Sequence, residues 1–185
     1  IQGLLTIAAI PFVGCNAEAS AVCMDKAVTN ALADFYGIPQ AKWTAFDRHA
    51  YAADKALLLK TAADKLGFPI FVKPANTGSS VGVTKVCSYE LAPACEKAFE
   101  FDKKIVLEEG IDGVEIECAV LGNEEPIASV VGEIVPCNDF YDYDAKYLAG
   151  DSELHIPARL PEEKLDAVRA AAVNAFRSFG CSGLT

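Results

Sequence analysis

The chain has 185 residues, of which 52% are hydrophobic, so it carries enough apolar material for a folded core and is not disordered as a whole. Its 26 acidic residues outnumber its 16 lysines and arginines, and the formal net charge is −10. A chain this acidic is poorly suited to neutralising a phosphate backbone, which argues against nucleic acid as its main partner.

Membrane insertion and a disulfide framework are also disfavoured by the sequence. The apolar run at 7–13 is too short to span a bilayer and lacks the basic start of a signal peptide. The seven cysteines form no C-x-x-C pair and have no histidine cluster nearby. We therefore expect a cytoplasmic protein with reduced thiols and no membrane partner.

Two helices are predicted in the first third of the chain. Ser20 or Asp25 is placed to cap the first, which should end near Phe35. The second spans 54–66, where apolar residues recur every four positions, and it stops at Gly67, a typical C-terminal cap.

The middle of the chain changes to β-type patterning. β-branched and aromatic residues fill 68–74 and 81–86, and the glycine–serine loop between them predicts a hairpin. A helix is expected at 90–101. Three further strand-like runs follow it, at 105–109, 114–121 and 127–135. Because helices alternate with hairpins rather than with single strands, the pattern favours α+β lobes with largely antiparallel sheets.

The last part of the chain contains a long irregular segment and a final helix. Residues 138–153 are polar and aromatic without a clear period, and a stretch of this length is typical of a functional loop. The helix should begin after Pro161 and end near Phe179. Since the chain opens inside an apolar segment and stops where a new strand should begin, we expect it to be a fragment of a longer protein.

The strongest local motif joins Lys73 to the loop that follows it. In a strand, Val72 and Lys73 face opposite ways, so the lysine can project into a cleft while its neighbours pack. The two glycines and two serines at 78–82 can offer several N–H groups and hydroxyls to one anion. The motif is not a P-loop, because the lysine precedes the glycines and a strand follows. An ordinary tight hairpin with a surface lysine fits the same residues.

A second candidate is the acidic segment 108–117. Strand alternation places Glu115 and Glu117 on one face, where a carboxylate can accept hydrogen bonds from ribose hydroxyls. Glu108 and Glu109 end a strand, where side-chain and backbone groups can hold the polar edge of a flat heterocycle. The alternative is a solvated acidic hairpin face, which is the commoner use of such a pattern.

The third candidate is the segment 140–147, F-Y-D-Y-D-A-K-Y, which interleaves aromatic residues and carboxylates with one lysine. Residues 105–145 include eleven acidic side chains and no lysine or arginine, so Lys146 is an isolated cation. Length and aromatic content favour a lid over a ligand, and the alternative is a surface loop with exposed tyrosines.

Taken in chain order, these segments resemble the D-alanine–D-alanine ligases of the ATP-grasp superfamily. The resemblance rests on M-D-K at 24–26, V-K-P-x-x-x-G-S-S-V-G at 72–82, G-x-E at 113–115 and the motif at 140–147. The last motif is specific to dipeptide ligases within that superfamily. The resemblance implies an ATP-grasp fold of two α+β lobes with largely antiparallel sheets, incomplete at both ends.

The same resemblance divides the chain into three parts. The tail of an N-terminal substrate domain is expected at 1–14, a central ATP-grasp lobe at 15–108, and the first part of a C-terminal lobe at 109–185. The C-terminal part includes the lid loop, 138–153.

The resemblance assigns the phosphates of ATP to lysines and to the glycine–serine loop. Lys26 and Lys73 are similar to the lysines that hold the α- and β-phosphates. The loop that closes on the γ-phosphate is matched by Gly78, Ser79, Ser80 and Gly82, with Ser79 as its active-site serine.

The adenosine is assigned to the acidic segment. Glu108 is similar to the acceptor for the adenine amino group, and Glu109 and Ile111 fall where backbone groups contact the adenine edge. Glu115 matches the ribose ligand. Gly110 departs from the family pattern, since many relatives carry a bulky residue there.

The lid carries two residues with implied catalytic roles. Lys146 resembles the lysine that meets the γ-phosphate, and Tyr147 resembles the tyrosine that hydrogen-bonds toward the loop serine. Relatives that make D-alanyl-D-lactate depart from this tyrosine-bearing motif. The motif therefore implies D-alanine as the second substrate.

The activity implied by the resemblance is ATP-dependent ligation of two D-alanines to D-alanyl-D-alanine through an acyl phosphate, for peptidoglycan precursor synthesis. The cofactors implied are ATP and Mg²⁺, the partners are small molecules, and the full-length enzyme is expected to be a homodimer. No metal ligand is expected within the chain, because the magnesium ligands and a catalytic arginine should follow Thr185. The 185 residues alone are expected to bind nucleotide at most.

Two alternatives stay open from the sequence. One is an ATP-grasp ligase with another acceptor, such as D-serine, whose pocket would involve a domain outside this chain. The other is a noncatalytic nucleotide-binding module, which the absence of magnesium ligands from the full gene would favour.

Overall fold

The computed structural model describes residues 1–137 and 152–185. The helices in this part of the chain are α1 (Gln2–Ile7), α2 (Ala17–Met24), α3 (Lys26–Phe35), α4 (Arg48–Ala53), α5 (Lys55–Leu66), α6 (Leu91–Phe101) and α7 (Glu162–Ser178). The strands are β1 (Trp43–Asp47), β2 (Ile70–Pro74), β3 (Thr84–Val86), β4 (Lys104–Glu109), β5 (Glu115–Glu117), β6 (Val120–Gly122), β7 (Ile127–Ala128), β8 (Gly132–Val135), β9 (Glu153–His155) and β10 (Gly183–Leu184). All strand pairs within these residues are antiparallel, which confirms the predicted α+β class.

The largest sheet has four strands in the order β1-β4-β2-β3. Along β2 the burial alternates as predicted, with Ile70 and Val72 fully buried and Phe71 and Lys73 on the other face. Helices α5 and α6 pack on the buried face, and the core there also contains Leu107. Burying one such aliphatic side chain stabilises the fold by about 1.5–3 kcal/mol, so this core fixes the register of β2 against β4.

Two three-stranded sheets form the rest of the β-structure that the model describes, in the orders β10-β6-β7 and β5-β8-β9. A smaller core lies beside them, built from Val131, Ala158 and Leu165. The helix predicted after Pro161 is confirmed as α7, with two glutamates in its first turn that favour the positive helix end.

The first predicted helix begins after Asp25, one of its two candidate caps, and a separate helix, α2, precedes it. Asp25 is extended, with φ −90° and ψ 101°, and its carboxylate accepts hydrogen bonds from the N–H groups of Ala27 and Val28 at 3.1 and 3.3 Å. Asp25, and not Ser20, therefore caps α3. Helix α2 has its own cap, since Asn16 Oδ1 accepts from the N–H of Ala19 at 2.8 Å.

Three of the predicted strand runs are shorter than expected. The run at 81–86 contributes only β3, because Gly82 has φ +73° and the preceding residues form turns. The runs at 114–121 and 127–135 each supply strands to two different sheets. Apolar residues continue to alternate where the chain passes from one sheet to the other, so the sequence pattern does not show where the first strand ends.

Candidate functional site

The face of the four-stranded sheet opposite its main core holds an ion pair that the strand register creates. Phe71 lies opposite Glu108, so Glu108 projects on the same face as Lys73. The Nζ atom of Lys73 is 2.5 Å from Glu108 Oε2, and both side chains are largely buried. The other oxygen, Oε1, accepts a hydrogen bond from Asn30 Nδ2 at 3.0 Å.

Lys26 reaches the same place from the start of α3. Its Nζ donates to the carbonyl oxygens of Thr77 and Pro74, at 2.6 and 3.1 Å, and its backbone N–H donates to Ala75 at 3.0 Å. Burial lowers the pKa of Lys26, and the positive charge of Lys73 lowers it further. Two cations that disfavour each other in this way form a site that a bound polyanion would stabilise.

The start of α3 is tied to the sheet by a second ion pair. Lys104 Nζ lies 2.5 Å from Asp25 Oδ2. Burial opposes ionisation, but hydrogen bonds from Lys104 and from the N–H of Val28 lower the pKa of Asp25 below its usual range. Because Asp25 precedes Lys26 directly, this contact holds the start of α3 against β4, while Lys26 itself contacts the end of β2.

The glycine–serine loop lies beside Lys26 and has an unusual backbone. Ser79 and Ser80 have φ values of +52° and +59°, in the left-handed region that non-glycine residues occupy at a cost of about 1–2 kcal/mol each. The hydroxyl of Thr77 donates to Val81 O at 3.1 Å across the loop. Strained backbone of this kind is common at ligand-binding sites, and here it lies next to the two lysines.

A cleft of about 920 Å³ adjoins this polar face. Ile111 and Glu115 line it together with Phe71 and Lys85, and its volume suits a small organic ligand. The ring of Phe71 links the cleft to the ion pair, because Lys73 Nζ lies 5.8 Å from its centroid. The structure thus brings Lys26, Lys73 and Glu108 together, and it places Ile111 and Glu115 in the neighbouring cleft.

Glu109 and Gly110 lie beside this cleft. Glu109 bonds to Lys42, and Gly110 packs closely against Pro69. The Glu109 carboxylate accepts from the backbone N–H of Lys42 at 2.8 Å, and Lys42 Nζ lies 3.1 Å from its other oxygen. The Glu109 N–H donates to Lys42 O at 2.9 Å, so it is not available to a ligand. A Cβ on Gly110 would lie 2.6 Å from Pro69 Cγ and 2.9 Å from Pro69 O, which explains why a glycine stands there.

An ion pair that was not predicted from the sequence lines the same cleft. The Glu133 carboxylate accepts from Arg159 Nη2 at 2.6 Å, from Nε at 3.0 Å and from the Arg159 backbone N–H at 2.9 Å. These hydrogen bonds, the side-chain ones first, lower the pKa of Glu133 to about 2. Glu133 and Arg159 are 26 positions apart, and no sequence pattern at that separation indicates an ion pair.

Replacing Glu133 by glutamine should reduce stability in a pH-dependent way. The pKa of Glu133 is lowered from 4.5 to about 2 in the folded chain, so its stabilising effect is complete above pH 4.5 and is lost as pH falls toward 2. The difference in unfolding free energy between the unmodified chain and Glu133→Gln should therefore shrink across this window. Urea unfolding at several pH values measures it, and a constant difference would contradict the assignment.

The predicted lid residues Lys146 and Tyr147 lie outside the described residues. Among residues 1–137 and 152–185, no cluster of three or more His, Cys, Asp or Glu side chains is arranged to hold a metal ion. Within the same ranges no helix has the length and apolar character needed to cross a bilayer.

The chain matches the family model described as D-ala D-ala ligase C-terminus over residues 32–185. It is 49% identical, over its whole length, to a D-alanine--D-alanine ligase of Acetivibrio thermocellus and 48% identical to one of Chlorobaculum parvum, of which it covers 49% and 51%. Thus it spans about half the length of the curated relatives it matches.

Two solved structures are similar to the fold. The VanG D-Ala:D-Ser ligase from Enterococcus faecalis aligns with a TM-score of 0.86 and 40% identity, over 99% of this chain and 52% of that chain. The D-alanine-D-alanine ligase from Coxiella burnetii aligns with a TM-score of 0.80 and 31% identity, over 99% of this chain and 48% of that chain.

Proposed function

Because this chain belongs to the D-alanine–D-alanine ligase family and shares its ATP-grasp fold, we propose that the protein catalyses ATP-dependent ligation of two D-alanines to D-alanyl-D-alanine. The observation that carries the proposal is the convergence of Lys26, Lys73 and Glu108 beside the strained glycine–serine loop. We further propose a cytoplasmic homodimer that supplies peptidoglycan precursors.

The proposed nucleotide site lies on the face of the four-stranded sheet that carries Lys73 and Glu108. Lys26 and Lys73 bind the α- and β-phosphates, where an anion relieves the repulsion between the two cations. Glu108 accepts a hydrogen bond from the adenine amino group. Its two oxygens have about four acceptor positions, so it can keep its contacts to Asn30 and Lys73 while it binds adenine.

The remaining adenosine contacts fall in the adjoining cleft. Backbone groups of Glu109 and Ile111 contact the adenine edge, and Glu115 binds the ribose hydroxyls. The Glu109 contribution comes from its carbonyl, because its N–H is engaged by Lys42. The aromatic face of Phe71, between the cleft and Lys73, supplies apolar contact to the base.

The γ-phosphate end belongs to the loop and the lid. The loop residues proposed to close on it are Gly78, Ser79, Ser80 and Gly82, and the lid supplies Lys146 and Tyr147. Lys146 neutralises charge on the γ-phosphate, and Tyr147 hydrogen-bonds toward Ser79. Closure of the lid excludes water, which protects an acyl phosphate from hydrolysis.

In this reaction the protein mainly positions the substrates and neutralises the charge on the phosphates. A D-alanine carboxylate attacks the γ-phosphate, so that an acyl phosphate forms and ADP leaves; the amine of a second D-alanine then attacks the acyl carbon and expels phosphate. Lysines and backbone N–H groups stabilise the charge that develops on the phosphate oxygens. Mg²⁺ would supply further neutralisation of the triphosphate when bound, and its ligands are proposed to follow Thr185.

A ligase that uses D-serine as the acceptor is the second candidate, and one comparison favours it. The similar structure from Enterococcus faecalis is a D-Ala:D-Ser ligase, whereas the relatives with higher identity are D-alanine ligases. Supplying the full-length gene product with D-alanine alone, or with D-alanine and D-serine, decides between them. We expect D-alanyl-D-alanine as the main product in both mixtures.

Substitution of the lid lysine tests the ligase proposal itself. In the full-length gene product, Lys146→Ala should lower the rate of D-alanine-dependent phosphate release by about 100-fold or more, because a charged contact to the γ-phosphate is lost where charge develops. Phosphate release is measured with and without D-alanine. Lys164→Ala, a change on the surface helix α7, serves as the matched control and should leave the rate unchanged. An unaltered rate in Lys146→Ala would remove the lid assignment.

Asn30 is proposed as a positioning residue for Glu108. It lies one helical turn after Lys26 on α3, on the face that meets the sheet, and its amide holds Glu108 Oε1. Asn30→Ala should weaken binding of ATP more than binding of inorganic triphosphate, by about fivefold to tenfold, because only the adenine end is affected. Equal weakening of both ligands in calorimetric titrations would show a structural effect instead.

A further inference from the structure

Three cysteines from distant parts of the sequence meet at one place. Cys15 precedes α2, Cys23 lies in the last turn of α2, and Cys181 follows α7. The Sγ atoms of Cys23 and Cys181 are 4.0 Å apart, and Cys15 Sγ lies 3.2 Å from Thr185 Oγ1. All three are free thiols; Cys23 is exposed, and the other two are partly exposed.

The environments of the three thiols differ. Burial opposes ionisation of Cys15, but hydrogen bonds from Thr185, from the Ser182 backbone and from Cys181 lower its pKa. Burial raises the pKa of Cys181 to about 12 and also raises that of Cys23. Cys15 is therefore the thiol that ionises most readily, and a thiolate is the reactive form toward disulfides.

A metal ion is not the ligand that this cluster favours. Within residues 1–137 and 152–185, no three His, Cys, Asp or Glu side chains are arranged to bind a metal ion, and this includes Cys15, Cys23 and Cys181. The separation of 4.0 Å between Cys23 and Cys181 instead places two sulfurs within a small shift of bonding distance. Accessibility and proximity together point to thiol–disulfide chemistry.

We propose that Cys15, Cys23 and Cys181 form a modification site that low-molecular-weight disulfides, such as glutathione disulfide, convert to a Cys23–Cys181 disulfide. The Cys15 thiolate attacks one sulfur of the small disulfide, which forms a mixed disulfide and releases one small thiolate. Cys181 loses its proton and attacks Cys15 Sγ, which expels the second small thiolate. Cys23 loses its proton and attacks Cys181 Sγ, and Cys15 leaves as a thiolate.

The net reaction is balanced without any other reactant. Cys23 and Cys181 together lose two electrons and two protons, and one small disulfide is reduced to two thiols. Cys15 is regenerated, and its lowered pKa makes it the better leaving group in the final exchange. The product joins α2, which leads directly to Lys26, to the segment after α7. This inference does not depend on the proposed ligase activity.

Peptide mapping tests the site directly. Trypsin cleavage after Lys26 and Arg177 places Cys15 and Cys23 in peptide 1–26 and Cys181 in peptide 178–185. The folded chain is treated with glutathione disulfide, its remaining thiols are alkylated, and the digest is analysed by mass spectrometry. We expect the two peptides to be cross-linked far more than in a sample oxidised in urea, at their summed mass less two hydrogens plus one alkyl group on Cys15. Fragment ions should place the bond at Cys23.

Single substitutions assign the roles of the three thiols. Cys181→Ser should abolish the cross-link, and Cys23→Ser should leave only the Cys15–Cys181 disulfide of the second step. Cys15→Ser should slow formation of the cross-link by about 10-fold, and Cys87→Ser, at an exposed cysteine elsewhere, should change nothing. Equal thermal unfolding midpoints of the reduced variants show that they fold. The proposal is overturned if no cross-link forms in the folded chain, if fragment ions place it at Cys15 in the unmodified chain, or if Cys15→Ser forms it at the original rate.

Discussion

Replacing Lys73 by glutamine should weaken nucleotide binding by about 10- to 100-fold. A hydrogen bond to a charged group contributes about 1.5–3 kcal/mol, and each 1.4 kcal/mol corresponds to a tenfold change in affinity. Glutamine keeps nearly the length of the lysine and can still donate to Glu108, so the loss measures the charge. Calorimetric titration of the chain with ATP gives the affinity directly.

The control for this change is Lys60→Gln. Lys60 lies on α5 and is exposed. Its ion pair is with Asp64, four residues along the same helix. Its replacement should leave the affinity for ATP unchanged. If Lys73→Gln binds ATP as tightly as the unmodified chain and unfolds at the same temperature, the phosphate assignment of Lys73 is wrong.

Gly82→Ala should lower the free energy of unfolding by about 2–5 kcal/mol. The backbone of Gly82 is left-handed, with φ +73°, which costs an alanine about 1–2 kcal/mol. Its new Cβ would lie 2.6 Å from Phe101 Cδ2 and 2.8 Å from Pro74 Cγ, and overpacking of this kind costs a further ~1–3 kcal/mol. Chemical denaturation of the two chains measures the difference.

Gly78 in the same loop is the matched control. A Cβ there would meet no atom within 4 Å, and its φ is outside the left-handed region, so Gly78→Ala should change stability by less than about 0.5 kcal/mol. Equal effects at the two glycines would contradict the packing described for the loop. The comparison also separates the packing role of Gly82 from its proposed role at the γ-phosphate, because stability is measured without nucleotide.

The face of β2 that carries Lys73 could be predicted from the sequence because its signal is local, whereas the ion pair with Glu108 requires the pairing of β2 with β4. Alternation along β2 fixes which face Lys73 occupies, and the end of β4 carries Glu108 on the same face once the strands pair. The glycine at 67 ends α5 as predicted, because Gly67 adopts φ +69° and its N–H donates to Ala63 O.

Other features depend on contacts between distant residues and have no local signal. Asn30 contacts Glu108 only because α3 packs on the sheet, and Glu133 meets Arg159 only because β8 and the segment before α7 are neighbours. The spacing of Asn30 four residues after Lys26 could have indicated a shared helix face. Asp25 is one of the two caps predicted for the first helix, whereas the separate helix α2 that precedes it was not predicted.

A crystal structure of the chain with a non-hydrolysable ATP analogue tests the central claim most directly. The account predicts that the phosphates contact the Nζ atoms of Lys26 and Lys73 and that the adenine amino group donates to Glu108. It also predicts that the ribose lies at Glu115, in the cleft beside Phe71. A nucleotide bound elsewhere on the chain, with these side chains unchanged, would contradict the account.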